Sequence, residues 1–137
     1  MADSLELEVA TPERELVRER VSEVELRGKN GYMGILPGHA PLLGELGIGY
    51  LTYVAGRRRR TLAVHSGFVE VLDDHVRVLA DAAERAEEID LERARAALRR
   101  AREAVLNPPA GSDNHAALAD LERAQARIEA AERKQSA

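Results

Sequence analysis

Val76-Arg77-Val78-Leu79-Ala80-Asp81-Ala82-Ala83, followed eight residues later by Leu91-Glu92-Arg93-Ala94, is where the hydrophobic period of the chain changes. On its N-terminal side apolar residues alternate, as in strands with one buried face. Leu5, Leu7 and Val9 alternate with Glu6 and Glu8, and Val24 and Leu26 with Glu23 and Glu25. Val69 and Val71 alternate with Phe68, Glu70 and Leu72, and Val76 and Val78 with His75 and Arg77. Breaks fall at Thr11-Pro12, Gly28-Lys29-Asn30-Gly31, Gly47 and Gly49, Ala55-Gly56, Ser66-Gly67 and Asp73-Asp74. Short strands with turn signals at such spacing predict an antiparallel β-sandwich or barrel.

On the C-terminal side Leu91, Ala94, Leu98, Ala101 and Val105 recur at helical intervals, as do Ala117, Leu121, Ala124, Ile128 and Ala131. These narrow seams predict two helices. Between them, Pro108 and Pro109 stop the first helix, and Asp113 or Asn114 caps the second. The fold class is therefore β + α: an N-terminal antiparallel β-sandwich over residues 1–86, followed by a C-terminal antiparallel α-helical hairpin over residues 87–137. Large seam residues are few (Leu91, Leu98, Val105, Leu121 and Ile128, with Leu118 on the flank). Such a thin, alanine-rich seam is expected to need a partner surface, and to be able to exchange one for another.

Composition removes several classes of function. A chain of 137 residues holds one ordinary domain, or one compact domain with an appendage. The absence of cysteine excludes disulfides, thiolate chemistry and Cys-ligated zinc, and fits a reducing compartment. No apolar run approaches the ~20 residues needed to cross a bilayer. Met1-Ala2-Asp3-Ser4 lacks a basic segment followed by a hydrophobic one, so membrane contact is expected only through a complex. A net charge of −4 and four aromatic residues argue against nucleic-acid binding. No serine sits in a nucleophile elbow, no Walker-type loop is present, and His65, His75 and His115 lack metal-ligand spacing. No catalytic residue, no metal and no enzyme activity are expected.

Gly34-Ile35-Leu36-Pro37-Gly38-His39-Ala40-Pro41-Leu42-Leu43 combines two prolines, two glycines and five aliphatic side chains in a stiff apolar loop. It closely resembles the G-I-L-P-G-H-A-P-L-L motif of the ε subunits of bacterial and chloroplast F-type ATP synthases. Ser66-Gly67-Phe68-Val69-Glu70-Val71 resembles the family's S-G-G-hydrophobic-E-V strand, with Phe68 in place of the second glycine. Val76 to Ala83 is similar to its V-x-V-L-A-D-x-A strand ending. Sandwich followed by hairpin is the architecture of that family, so the resemblance spans essentially the whole chain.

The resemblance implies a non-catalytic central-stalk protein that joins the γ subunit to the membrane rotor ring of c subunits. It also implies a peripheral position on the cytoplasmic side of the bacterial cell membrane. The turn Gly31-Tyr32-Met33 and the loop Pro37-Gly38-His39 would lie at the ring-facing end. The family commonly has Gly-Glu-Leu at the first of these, so the departure predicts a more apolar contact. Ile89-Asp90-Leu91-Glu92-Arg93-Ala94 fits the I/L-D-x-x-R-A motif that marks nucleotide binding in some family members. Arg93 and Arg100 on one helix, with Arg123 and Arg127 on the other, would converge on a triphosphate. Asp90 and Glu84 would accept hydrogen bonds from the adenine amino group or ribose. ATP would then be a regulatory ligand, with no cofactor otherwise. The resemblance further implies an extended hairpin that enters the head and inhibits ATP hydrolysis, with Arg123, Arg127, Arg133 and Lys134 meeting acidic segments of the β subunits beside α.

Other readings of the same residues stand beside these. His39 is either a proton-responsive contact or a hydrogen-bonded structural residue. Arg57 to Arg60 is either a phosphate or lipid site or the solvated tip of a hairpin. The helix arginines also have Glu92, Glu103, Glu122 and Glu129 within pairing distance along the helices. For the whole chain, the alternatives are a free-standing binding module using Arg57 to Arg60 and the helical arm, and a small nucleotide sensor outside any rotor.

Overall fold

Alternation in the first strand buries Leu5, Leu7 and Val9 completely. A computed structural model describes residues 3–133. The strands are β1 (Leu5–Ala10), β2 (Glu15–Val21), β3 (Glu23–Gly28), β4 (Gly31–Ile35), β5 (Leu42–Ala55), β6 (Arg58–Leu72) and β7 (His75–Arg85). A 3₁₀ turn (Ala86–Glu88) leads into α1 (Leu91–Leu106) and α2 (His115–Arg133). The strands form one hydrogen-bonded ladder in the order β2-β1-β7-β6-β5-β3-β4. It folds over into a sandwich, so that Leu7 of β1, Leu26 of β3 and Val69 of β6 share a single core. The antiparallel expectation needs one correction: β1 runs parallel to β7, with Glu6 opposite His75. Alternation reports which face of a strand is buried, not which way its neighbour runs.

Gly47 and Gly49, expected to end strands, lie inside β5, and Ser66-Gly67 lies inside β6. Inward-facing residues change parity there: Leu46 gives way to Leu51 in β5, and Leu62 and Val64 to Val69 and Val71 in β6. The β5–β6 register runs through this level unshifted while β5 slips against β3 between Glu25 and Gly28, and the sheet turns a corner. Gly49 allows close approach rather than a turn, since a Cβ would stand 2.5 Å from the Tyr32 hydroxyl and 2.7 Å from Arg27 Cδ. At the β6 corner the left-handed positions are Ser66 (φ 64°) and Gly67 (φ 132°). The two glycine-demanding sites are therefore 66 and 67. Ser66 holds the first of them, and Phe68 is the strand residue that follows, not a glycine replacement.

Beyond the corner, Tyr50 to Tyr53 and Thr61 to His65 are buried on both faces. One face meets the core and the other lies under the hairpin. α2 lies on β5 and β6, while α1 packs on α2. The expected seams hold Ala94, Ala101 and Ala124, but α2 buries Ala126 and Ala130 as well, which face the sheet. The surface this thin hairpin needs is therefore the outer face of its own sheet. Asp90 caps α1 through Arg93 N–H at 3.1 Å, and the Asp113 carboxylate accepts from His115 N–H at 3.0 Å.

Between sheet and hairpin, Glu88 accepts two bonds from the Arg14 guanidinium, both at 2.8 Å, and one from Arg85 N–H. The Arg14 side chain first, and the Arg85 N–H second, hold the Glu88 carboxyl at about 2. A folded value below the unfolded one stabilises the fold above the ordinary carboxyl range, and this contribution disappears as pH falls through about 2. Both partners are well exposed, so the contribution stays below ~1 kcal/mol. Glu88→Gln is expected to lower the urea midpoint slightly at neutral pH and to leave it unchanged near pH 2, the value at which the carboxyl protonates.

Candidate functional site

Where β7 hands over to α1, a cleft of about 400 Å³ opens between sheet and hairpin. Glu84 reaches it from the end of β7, and Glu88, Ile89 and Asp90 border it from the connection. One face of α1 supplies Arg93, Ala94, Ala97 and Arg100, and α2 supplies Arg127. The helical period puts these α1 side chains in line, and the small alanines leave the volume open between the arginines. A second groove of about 440 Å³ shares Ala97, Arg100 and Arg127 with the first and adds Asp120 and Arg123. Together they form one trough along the hairpin.

Polar commitments within the trough are uneven. Glu84 Oε1 accepts from His65 Nε2 at 3.3 Å and from Arg127 Nε. The His65 bond first, and Arg127 after it, hold the Glu84 carboxyl below the usual range against the opposing effect of burial. Asp90 has one oxygen engaged in its cap. Arg123 bonds to Asp120 on its own helix. Arg93 and Arg100 have no carboxylate within ion-pair distance among the described residues. Glu92 pairs with Arg95, away from the cleft, so the within-helix pairing reading does not account for these two guanidiniums. Two uncompensated cations beside an open volume attract an anion with several oxygens.

Seven of the eight expected nucleotide residues thus line one cleft: Glu84, Ile89, Asp90, Arg93, Ala94, Arg100 and Arg127. Arg123 lies in the adjoining groove. Sequence reasoning passed over Glu88 and His65. In the sequence His65 is read only for metal-ligand spacing, and the signal that finds it is its place on the same face of β6 as Ala63, the register partner of Glu84.

The other expected contacts are scattered. Gly31 and the Pro37 loop lie at opposite ends of β4, about 13 Å apart at the usual strand rise. Tyr32 stacks on Tyr50 with ring centroids 4.5 Å apart, its hydroxyl accepting from Tyr50 N–H at 3.1 Å, while Met33 packs against the core. The Gly38 N–H donates to Asp74 at 2.7 Å, and His39 Nδ1 lies 2.7 Å from the Ala40 carbonyl. Arg133 lays its guanidinium over Tyr50, 3.9 Å from the ring centroid. Lys134 lies outside the described residues. Arg57, Arg58 and Arg59 are exposed at the β5–β6 turn. Among the described residues no cluster could hold a metal ion, and no helix is long and apolar enough to cross a membrane.

A folded-over sheet with a helical hairpin docked on its outer face, and a trough lined by charges of both signs where the two meet, defines a class of small β-plus-α proteins with a helical arm. Known proteins narrow this class. The family model for the β-sandwich domain of the ATP synthase delta/epsilon chain matches residues 4–86, and that for its long α-helix domain matches residues 87–132. The ATP synthase epsilon chain of Solibacter usitatus is 63% identical over 98% of this chain and 100% of its own length. That of Geobacter metallireducens is 46% identical over 96% of each. A chain in the Euglena gracilis mitochondrial ATP synthase structure, comprising OSCP, F1 and c-ring, superposes with a TM-score of 0.83 at 27% identity, covering 96% of this chain and 82% of that one. This chain belongs to the epsilon chains of the ATP synthase delta/epsilon family, which are non-catalytic subunits.

Proposed function

We propose that this protein couples the rotor shaft to the proton-driven ring of its ATP synthase, and that its hairpin senses ATP and restrains ATP hydrolysis. The carrying observation is the composite cleft. Glu84 comes from the sheet, Arg93 and Arg100 from α1 and Arg127 from α2, so the site is complete only while the hairpin is docked. A ligand bound there stabilises the docked arrangement by linkage, by about 2.7 kcal/mol at 100 times its dissociation constant. When the hairpin extends, Arg127 and Arg133 leave Glu84 and Tyr50, and with Arg123 and Lys134 they become available to acidic segments of the catalytic head. Docking and inhibition share Arg127 and Arg133 and so exclude one another.

Coupling draws on the part of the sheet that the hairpin leaves bare. Leu43, Phe68 and Leu79 are 77%, 55% and 52% exposed on the outer face before the corner, where Phe68 sits opposite Leu79 in register. This face, where the three apolar side chains stand among Glu45, Glu70 and Arg77, receives the γ subunit. The Pro37-Gly38-His39 loop, tied to the Asp73-Asp74 turn, faces the c-ring, while Tyr32 serves the hairpin side. The protein so placed is peripheral, on the cytoplasmic side of the bacterial membrane, and reaches it through the complex.

Arg93→Ala with Arg100→Ala tests the nucleotide reading. Each guanidinium bond to a phosphate is worth ~1.5–3 kcal/mol, so the double variant is expected to raise the dissociation constant for ATP about 100-fold or more. Chemical-shift changes at Ala94 and Ala97 during ATP titration measure it. Absence of any change in the wild type at millimolar ATP overturns the reading.

A further inference from the structure

His65 is a buried histidine, 5% exposed, aimed at the carboxylate that the sheet and hairpin share. Because a carboxylate only accepts, Nε2 carries the hydrogen in that bond. Nδ1 is buried and has no partner among the described residues, so in the neutral ring it is an unused acceptor. The charged group facing His65 from β7 is Glu84, and from α2 it is Arg127. β5 brings Ile48 opposite in register, with Tyr50 two residues along. Glu84 therefore has two donors on one oxygen, one permanently charged and one able to become so.

We propose that His65 is a positioning residue of the nucleotide cleft: it holds Glu84 in place and takes up a proton when Arg127 leaves Glu84 for the phosphates of the ligand. The inference rests on the nucleotide reading of the cleft. While Arg127 is bonded, the Glu84 charge is already balanced, and a charge on His65 would stand beside the Arg127 guanidinium with no second anion to offset it. Once Arg127 turns to a polyphosphate, the half-buried carboxylate keeps His65 as its partner. Protonation then restores the charge balance and fixes the oxygen that meets the ligand. The Arg127 cation is lent to the ligand, and solvent replaces it with a proton through the ring.

Linkage sets the sign. Binding that takes up a proton is tighter at lower pH, by up to about tenfold per pH unit for one proton. Bound nucleotide and mild acidity thus act together to keep the hairpin docked.

The test uses full-length protein and ATP titrated by calorimetry at mildly acidic and mildly alkaline pH, in the wild type, His65→Gln and His65→Leu. Ionisation of ATP itself contributes equally to all three. His65→Gln keeps a donor for Glu84 but cannot titrate, so it is expected to match the wild type at alkaline pH and to lose about a tenfold gain on acidification. His65→Leu is expected to bind more weakly throughout. Ring-nitrogen shifts of His65 in the wild type, which need no variant, are expected to pass from the neutral Nε2–H pattern to the doubly protonated one on saturation with ATP. Equal pH dependence in the wild type and His65→Gln, with unchanged ring shifts, overturns the role of His65 while leaving the nucleotide reading intact. No ATP binding by the wild type overturns both.

Discussion

Deletion of residues 88–137 is expected to raise ATP hydrolysis by the assembled synthase severalfold while leaving assembly and proton-coupled synthesis largely in place. The sheet supports this separation. Its main core is drawn from strand residues, Leu5 to Ala80, with Ala83 packed against them. The hairpin adds a second, smaller cluster in which Tyr50 and Ala63 meet Ile89, Ala94, Ala130 and Ala131. Removing it bares Tyr50, Ala63 and His65 and lowers the melting temperature of the isolated domain without dissolving its core. The faces proposed for γ and the ring lie elsewhere on the sheet. Hydrolysis by membrane vesicles, with and without ATP pre-loading and a proton gradient, is the measurement. Unchanged rates under all these conditions would count against an inhibitory hairpin.

Gly67→Ala is expected to cost the fold about 3–5 kcal/mol, a large share of the ~5–15 kcal/mol available to a domain of this size. Gly67 has φ 132°, and a Cβ built there would overlap the Leu79 carbonyl and stand 2.7 Å from Ala80 Cα. Both obstacles are backbone of the paired strand β7, so no rotamer change relieves them. The neighbouring substitution has the opposite sign. Ser66 is held at φ 64°, and Ser66→Gly is expected to stabilise by about 1 kcal/mol by removing that strain. Urea denaturation of the pair reads both effects, and a Gly67→Ala variant as stable as the wild type would refute the corner geometry.

These two positions also mark what the sequence could and could not disclose. Period two in Leu5 to Val9 and Val76 to Val78, and period 3.5 after Leu91, report burial of one face, and burial of one face is what makes a strand or a helix. The sandwich and the hairpin were legible for that reason. Gly47, Gly49 and Ser66-Gly67 misled as strand ends because glycine signals either a turn or a close approach, and only the register of β5 on β6 separates the two. The face of α2 that meets the sheet is built of Ala126 and Ala130, whose small side chains leave little mark on a hydrophobicity pattern. In the cleft, the spacing of Asp90, Arg93, Ala97 and Arg100 was sufficient to align one helix face. Glu84 and Arg127 meet across 43 residues of sequence, and His65 joins them from another strand, so no local pattern connects the three.

The parallel partnership of β1 and β7 has a consequence for how the molecule is made. β1 lies between β2 and β7, yet residues 5–10 must wait for residues 75–79 to be synthesised before their second edge is satisfied. At roughly 5–20 residues per second on the ribosome, that interval is on the order of several seconds. Throughout it, the N-terminal β-ribbon emerges with one edge open and Leu5, Leu7 and Val9 uncovered. Completion of the sheet is a closing event, delayed until nearly two-thirds of the polypeptide has left the tunnel. Nascent chains stopped before β7 will hold an unpaired edge suited to chaperones or to misassociation, and arrest of translation there is where this subunit is most exposed to loss.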